Sequence, residues 1–183
     1  YYNKSSTISG TLNNLNKFHN DVKRKLIYEF TTPGIDNILM DFAVGKGGDI
    51  PKWIDSNLKF VFGVDVFKDN IENRFDGACV RYFNFLVNNF RSKFKKNIPD
   101  MMFATADSSK LIQNGDASKY DQNNQIIENN INTSIIESVF GKKLHEEYNS
   151  LKKYHGIANK GFHITSCQFA IHYFFKNKET LSN

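Results

Sequence analysis

Apolar residues recur along this chain in two periods, and the alternation between them lays out a fold. Leu12, Leu15, Phe18, Val22, Leu26 and Phe30 follow at steps of three and four, the spacing of one face of an amphipathic helix. Thr11 stands where an N-cap belongs and Pro33-Gly34 lies past the end, so a helix is predicted over 11–30. Ile38 to Phe42 is a short apolar run of strand type, followed by the loop 43–49 and a helix through Trp53, a core residue, and Ile54. A second strand, Phe60 to Val64, ends on Asp65. A long helix is predicted over 68–94, with Ile71, Phe75, Ala78, Tyr82, Phe85, Leu86 and Phe90 on its buried side. A third strand, Met101 to Thr105, leads to Asp107 and Ser108. Residues 111–133 are rich in Asn, Gln, Ser and Asp and read as a surface insertion. A helix over 135–154 precedes a fourth strand, Phe162 to Ser166, and the chain then enters Gln168 to Tyr173.

Strands alternating with helices of this length predict an α/β fold, a doubly wound and mostly parallel sheet with right-handed crossovers. Its parts are a leading helix (11–30), a ligand-binding core (37–110), a polar insertion (111–133), and a helix, fourth strand and following segment (135–175). Ligands in such sheets sit at the carboxyl ends of the strands. Asp65, Asp107 and Gln168 all fall just beyond such ends.

The chain has 183 residues, 40% hydrophobic and 14% aromatic, enough for one domain with a real core. Lys+Arg 24 against Asp+Glu 19 gives a net charge of +5, which suits a polyanionic partner without requiring one. Cys79 and Cys167 are far apart in apolar settings, so a reducing, intracellular compartment is expected instead of a disulfide framework. The five histidines lack metal-ligand spacing, and no metal site is expected. No apolar run approaches a membrane span and no signal peptide opens the chain, so no membrane partner is expected. The first residue is Tyr1 and four strands are predicted, which suggests an excerpt that stops after the fourth strand.

The candidate chemistry lies in the loop that opens Asp41-Phe-Ala-Val-Gly-Lys-Gly-Gly-Asp49. Glycines there let the backbone pass close to a ligand. Dinucleotide dehydrogenases and ordinary strand–helix turns share such a loop. It is not a phosphate P-loop, since Lys46 precedes the glycine pair. Asp65 comes about twenty residues later, where a carboxylate can accept ribose hydroxyls. Asp107 ends the third strand, where a carboxylate can take an adenine amine. One such acid is ordinarily a cap or turn residue; several in this order point to an adenosine ligand.

Four segments carry a closer likeness: Phe18-His-Asn-Asp-Val-Lys23, Asp41 through Trp53, Thr105-Ala-Asp-Ser-Ser-Lys110 and Ser166-Cys-Gln-Phe-Ala-Ile-His-Tyr173. Together they resemble the mRNA cap guanine-N7 methyltransferases, and Gly77-Ala-Cys-Val-Arg-Tyr82 looks more like the viral branch, where this domain belongs to a larger capping enzyme. The resemblance implies a Rossmann-like class I S-adenosylmethionine-dependent methyltransferase of seven strands. It implies that Lys23, Ala43, Gly45, Asp65, Asp107, Ser108, Gln168 and Tyr173 line the cofactor pocket. It places Asn20, Lys46, Lys52, Arg81, Phe169 and His172 toward the cap, with Phe169, His172 and Tyr173 orienting the reactants and no residue acting as acid or base. Most members have Gly where this chain has Ala43, so ordinary dihedrals are expected there. The implied product is S-adenosylhomocysteine and the implied substrate 5′-capped mRNA. Guanylyltransferase and triphosphatase domains of the same polypeptide, and a small activating subunit, are the further implied partners. The implied location is the host cytoplasm (a viral factory) or the virion for a viral protein, and the nucleus for a cellular one. Two alternatives stay open from the residues: an S-adenosylmethionine enzyme with another nucleic-acid target, and a non-catalytic RNA-binding module on the same fold.

Overall fold

The computed structural model describes residues 10–120, 125–127, 130–175 and 177–178, with side chains in the leading helix from residue 13 onward. Its four strands are β1 (Ile38–Asp41), β2 (Phe60–Asp65), β3 (Asp100–Thr105) and β4 (Ile164–Ser166). They form one parallel sheet in the order β3-β2-β1-β4, with Ile38 opposite Phe60, Leu39 opposite Ile164 and Phe60 opposite Asp100. Every residue of β1 and β2 is buried, so both faces of the sheet need cover. On one face Leu39, Val61, Phe103 and Ile164 pack with Ile27 of α1 (Gly10–Phe30) and with Ile50, Trp53 and Ile54 of α2 (Ile50–Asp55). Ile71 of α3 (Lys68–Glu72) and Ala78 of α4 (Ala78–Arg91) complete that layer. On the other face Ile38, Met40, Phe60, Phe62 and Val64 pack with Ile136 and Val139 of α5 (Ile131–Val139) and with Ala158. Helices cover both faces, and the strand order reverses beside β1, between β2 on one side and β4 on the other. That reversal opens a crevice above the carboxyl ends.

The doubly wound α/β sheet and all four strands stand as expected, and Trp53 is fully buried. Several elements differ. The first helix starts at Gly10, so Thr11 lies inside it and is not its cap; Leu12 lies outside the described side chains. The apolar stripe of α1 is not buried: Leu15, Phe18, Val22, Leu26 and Phe30 are exposed, Phe18 at 63%, and Ile27 is the buried residue. The helix docks through Ile27 and Lys23 onto α2 and the β1 loop.

The long helix predicted over 68–94 is two, broken between Glu72 and Ala78. Gly77 is extended there, and a Cβ on it would lie 2.7 Å from the Asn73 backbone. Asn73 turns the chain by accepting the Phe75 and Asp76 amides. The break releases Phe75 from the buried side (92% exposed), and the far end of α4 leaves Phe90 outside as well. The helix predicted over 135–154 likewise divides into α5 and α6 (Asn149–Lys152), because Gly141 takes a left-handed turn at φ 69° against the Gly156 Cα. The described part of 111–133 is not wholly a surface insertion. Ile112, Ala117 and Ser118 are buried, Asp107 donates its amide to the Ala117 carbonyl, and α5 already begins at Ile131. Residues 121–124 and 128–129 of that stretch, and Tyr1 to Ser9 of the opening, lie outside the described residues.

Candidate functional site

The turn after β1 is organised by two carboxylates. Asp41 closes the strand and accepts the Ala43 amide at 3.0 Å; Asp65 closes β2 and accepts the Gly45 amide at 2.8 Å. Gly45 (φ 54°) and Gly47 (φ 72°) take left-handed conformations, and Ala43 keeps an ordinary one, as expected. A Cβ on Gly47 would lie 2.7 Å from Ile50 Cδ1 and 3.3 Å from Ala78 Cα, so this loop touches α2 and the start of α4. Beside Gly45 there is open space, which leaves that backbone accessible to a ligand. Asp65 Oδ1 also accepts the Phe67 amide and the Asn70 side chain, at 2.9 and 3.0 Å. With two lone pairs per oxygen, one on Oδ2 remains. One ribose hydroxyl can be accepted there without displacing a protein donor, and a second would displace one already bound.

Asp41 is the most perturbed group of the site. Burial pushes its carboxyl up to about 7, further raised by Asp49 and Asp65 and opposed by the Ala43 amide and by Lys23. Lys23, from α1, donates to Asp49 at 3.1 Å, and its ammonium lies 5.4 Å from the centre of the Phe169 ring. Phe169 also packs on His19 at 4.7 Å. It holds φ 60°, a left-handed conformation that costs a bulky residue energy and is found where a site over-determines it.

The other expected positions divide between the crevice and its surroundings. Ser108 Oγ donates to the Phe42 carbonyl at 2.6 Å, tying the β3 loop to the β1 loop. Asp107, half-buried, accepts the amide and hydroxyl of Ser109. Gln168 is half-buried behind β4, and His172 and Tyr173 are exposed on a short 3-10 turn with rings 4.0 Å apart. Lys52 differs from its expected place toward the cap. It is 3% exposed and its ammonium lies 2.6 Å from Asp49, because it sits on the inner side of the short α2 and needs a carboxylate there. It positions Asp49 and presents no free charge. Lys46 is gripped by Asp76 at 2.7 and 2.9 Å, with Asp69 at 3.6 Å. Asn20 returns its amide to the Asn16 carbonyl of its own helix. Arg81 is half-buried in the first turns of α4 and has no carboxylate partner among the described residues. The structure therefore joins Lys23, Asp49 and Phe169 by contact, Gly45 to Asp65, and Ala43 to Asp41. No such contact links Lys46 or Arg81 to Phe169 and His172 among the described residues.

Sequence reasoning did not single out Asp41, Asp49, Asn70 or His19. Asp41 carried the same signal as Asp65 and Asp107, an acid closing an apolar strand. Asp49 was legible as the acid entering the following helix. Nothing in the sequence marked Asn70, and His19 stood in the Phe18–Lys23 segment without a role of its own. A cavity of about 420 Å³ lies between Asp36, Asn57, Lys59 and Asp100, at the opposite, amino-terminal ends of the strands. The chemistry of the strand ends outweighs its size. Among the described residues there is no cluster of three or more metal-ligating side chains, and no helix is long and apolar enough to cross a membrane.

A dinucleotide cofactor would set its pyrophosphate against the amides that open the first crossover helix. Here Asp49 occupies that entrance and Pro51 removes one donor. The fold and the strand-end residues define an open α/β protein with a candidate ligand crevice at the carboxyl ends of its strands. A model of the mRNA (guanine-N(7))-methyltransferase domain matches residues 3–131, and the chain belongs to that family. It is similar to a probable mRNA-capping enzyme of Acanthamoeba polyphaga mimivirus, 26% identical over 183 residues, which is 100% of this chain and 13% of that protein. It is also similar to mRNA cap guanine-N(7) methyltransferase 1 of Arabidopsis thaliana and of Oryza sativa subsp. japonica. Each of these is 36% identical over 59 residues, 32% of this chain and 15% of the relative. The chain thus spans a minor part of the length of the curated relatives it matches.

Proposed function

We propose that this chain supplies the S-adenosylmethionine-binding part of a domain that methylates N7 of the guanosine cap of mRNA. The observation that carries this reading is the convergence of Asp41, Asp65 and Asp107 at adjacent strand ends around an open glycine turn, with Lys23 and Phe169 beside it. Asp65 accepts a ribose hydroxyl through its remaining Oδ2 lone pair, and Asp107 and Ser108 face the adenine. The Gly45 backbone and Lys23 hold the amino-acid end, with Gln168 and Tyr173 on the β4 side. Phe169 stacks on guanine, His172 hydrogen-bonds it, and Arg81 faces the triphosphate bridge.

Guanine N7 already carries a lone pair, so no base has to remove a proton. The bond from N7 to the methyl carbon forms as the bond from sulfur to that carbon breaks, and the electron pair returns to sulfur, giving S-adenosylhomocysteine. What the protein must provide is proximity and alignment. Capped mRNA as substrate, guanylyltransferase and triphosphatase domains in the same polypeptide, a small activating subunit, and a cytoplasmic viral factory as location belong to the same proposal. The mimivirus relative, a probable mRNA-capping enzyme, supports the capped substrate and the further capping domains.

The test is methyl transfer from labelled cofactor to unmethylated capped RNA by the intact protein containing this chain, alongside its His172→Ala variant. Turnover by the variant is expected to fall on the order of a hundredfold while cofactor affinity changes little. Absence of transfer by the parent protein, with cofactor bound, would overturn the cap reading. Loss of affinity and turnover together would reassign His172 to the cofactor.

A further inference from the structure

Between Asp76 and Asp100 the chain has no acidic residue, and it carries Arg81, Arg91, Lys93, Lys95 and Lys96 interleaved with Phe83, Phe85, Phe90 and Phe94. Most of this segment is α4, whose residues 81, 84, 88 and 91 fall at i, i+3, i+7 and i+10, one side of a helix. Asn84, Asn88 and Arg91 on that side are exposed and Arg81 is half-buried. The helix begins against the glycine turn, where Ala78 meets Gly47. Fourteen residues at about 1.5 Å each carry this polar track roughly 20 Å from the crevice to the far end of the sheet.

At that far end the aromatic rings stand in the open. Phe90 is 82% and Phe94 88% exposed. The Lys95 ammonium lies 5.1 Å from the Phe90 ring centre and closes the helix by donating to the Asn89 and Phe90 carbonyls. Asn89 clamps the turn by bonding both backbone groups of Lys96. Lys96 pairs with Asp55 at 2.9 Å, while Arg91 and Lys93 have no carboxylate partner among the described residues. Next to Phe94 is a groove of about 280 Å³ with apolar walls from Ile54, Phe85 and Ile98 and with Asn88 and Ser92 among its lining residues.

We infer that this end of α4 is a binding surface for single-stranded RNA, taking the transcript a few nucleotides downstream of the cap. Exposed aromatic rings that stack bases, set among cations that meet phosphates, are the physical means of sequence-tolerant single-strand binding. An apolar protein partner would leave the acid-free run of cations without a counterpart, whereas a polyanion answers both features. The inference rests on the cap reading for the direction of the strand. The patch itself is tested without a cap.

The experiment uses the intact protein and an uncapped, unstructured RNA, with binding followed by fluorescence anisotropy across a salt series. The triple variant Arg91→Gln/Lys93→Gln/Lys95→Gln is expected to flatten the dependence of log affinity on log salt by about two, at roughly 0.7 per lost phosphate contact. Phe94→Ala is expected to weaken binding roughly tenfold, and Phe94→Trp to retain it; neither threatens the fold, because the ring is exposed. On capped substrates both losses should raise KM for a long RNA and leave KM for a capped dinucleotide unchanged. An unaltered salt slope together with unaltered affinity for uncapped RNA overturns the inference, as does loss of binding to another protein or domain in place of RNA. Failure of the cap reading looks different: no methylation of either capped substrate, with the RNA-binding losses intact.

Discussion

Replacing Asp41 by Asn isolates the energetic consequence of burying a carboxyl at the heart of the site. In the folded protein Asp41 is 2% exposed, and burial raises its carboxyl from 3.8 to about 7. The fold therefore favours the neutral form. The associated stability is complete below about pH 4, declines as pH rises, and is lost once pH passes the folded value near 7. At about 1.4 kcal/mol per unit, a gap of roughly three units makes the charged form about 4 kcal/mol less compatible with the fold. Asn keeps an oxygen to accept the Ala43 amide and does not ionise, so the variant has no such loss. Parent and variant should be of similar stability near pH 4. The variant should pull ahead between about pH 4 and 7, and hold a lead of up to about 4 kcal/mol at about pH 8.5. Urea denaturation of both proteins over that range measures it, because every other titrating group is common to the two and cancels in the difference. Parallel curves would refute the reasoning, since they would mean that Asp41 ionises in the folded protein as easily as in water.

Asp49→Ala should cost about 3 kcal/mol in denaturant unfolding, because it leaves the buried Lys52 ammonium without a partner, and adding Lys52→Met should recover most of it. Full stability of the single variant would show that Lys52 escapes to water. Deleting residues 113–132 should abolish the cooperative melt, since it removes buried Ala117 and Ser118 and the Asn130 cap of α5. An unchanged melting temperature would restore the insertion as a passive loop. Phe169→Gly should stabilise the apo protein by about 1 kcal/mol over Phe169→Ala by relieving the left-handed strain, with turnover reduced in both; equal stabilities would mean that the strain is absent. Finally, S-adenosylmethionine binding at pH 7 should release roughly half a proton, because its positive charge returns Asp41 to the ionised form. Calorimetry giving the same enthalpy in buffers of different ionisation heat would rule that out.

The strands and the ends they present were legible because parallel strands covered on both faces read as short, continuous apolar runs, and each run here ends on its acid or in its loop. The helices were less legible. Periodicity predicts which face of a helix is apolar but not whether a surface is there to receive it, and the stripe from Leu15 to Phe30 has none among the described residues. Gly77 acts through the room its missing Cβ leaves and Gly141 through a left-handed conformation, both invisible to a pattern of apolar positions, so in each case one long helix is predicted where two stand. Polar composition misled over 111–133, where Asn130 and Asn132 serve as backbone partners, the latter accepting the Thr105 amide, while a few small residues fill the core. Of the candidate site residues, Asp65 lies at the end of its strand as the sequence predicts. Lys52 was misjudged because its charge was visible and its buried partner was not.

The proposed methyl transfer needs no proton removed and so demands mainly that two reactants be held in line, a demand that the bracing of the strand ends suits. The Gly45 amide is fixed by Asp65, and the Ala106 amide by the Asp65 carbonyl. The Phe42 amide is fixed by the Ser166 carbonyl and the Phe42 carbonyl by Ser108. The ends of all four strands are thus cross-linked by short bonds, most with backbone groups as partners. The β4 side is in turn held to α1 through Lys23, His19 and Phe169. Long side chains carry rotamer freedom that blurs position, whereas backbone groups anchored in a buried parallel sheet carry little. A displacement of about an ångström can forfeit on the order of a hundredfold in rate. The braces at Ser108 and Phe42 therefore bear on turnover as directly as any residue that touches the cap, although neither is placed in contact with the transferring methyl group.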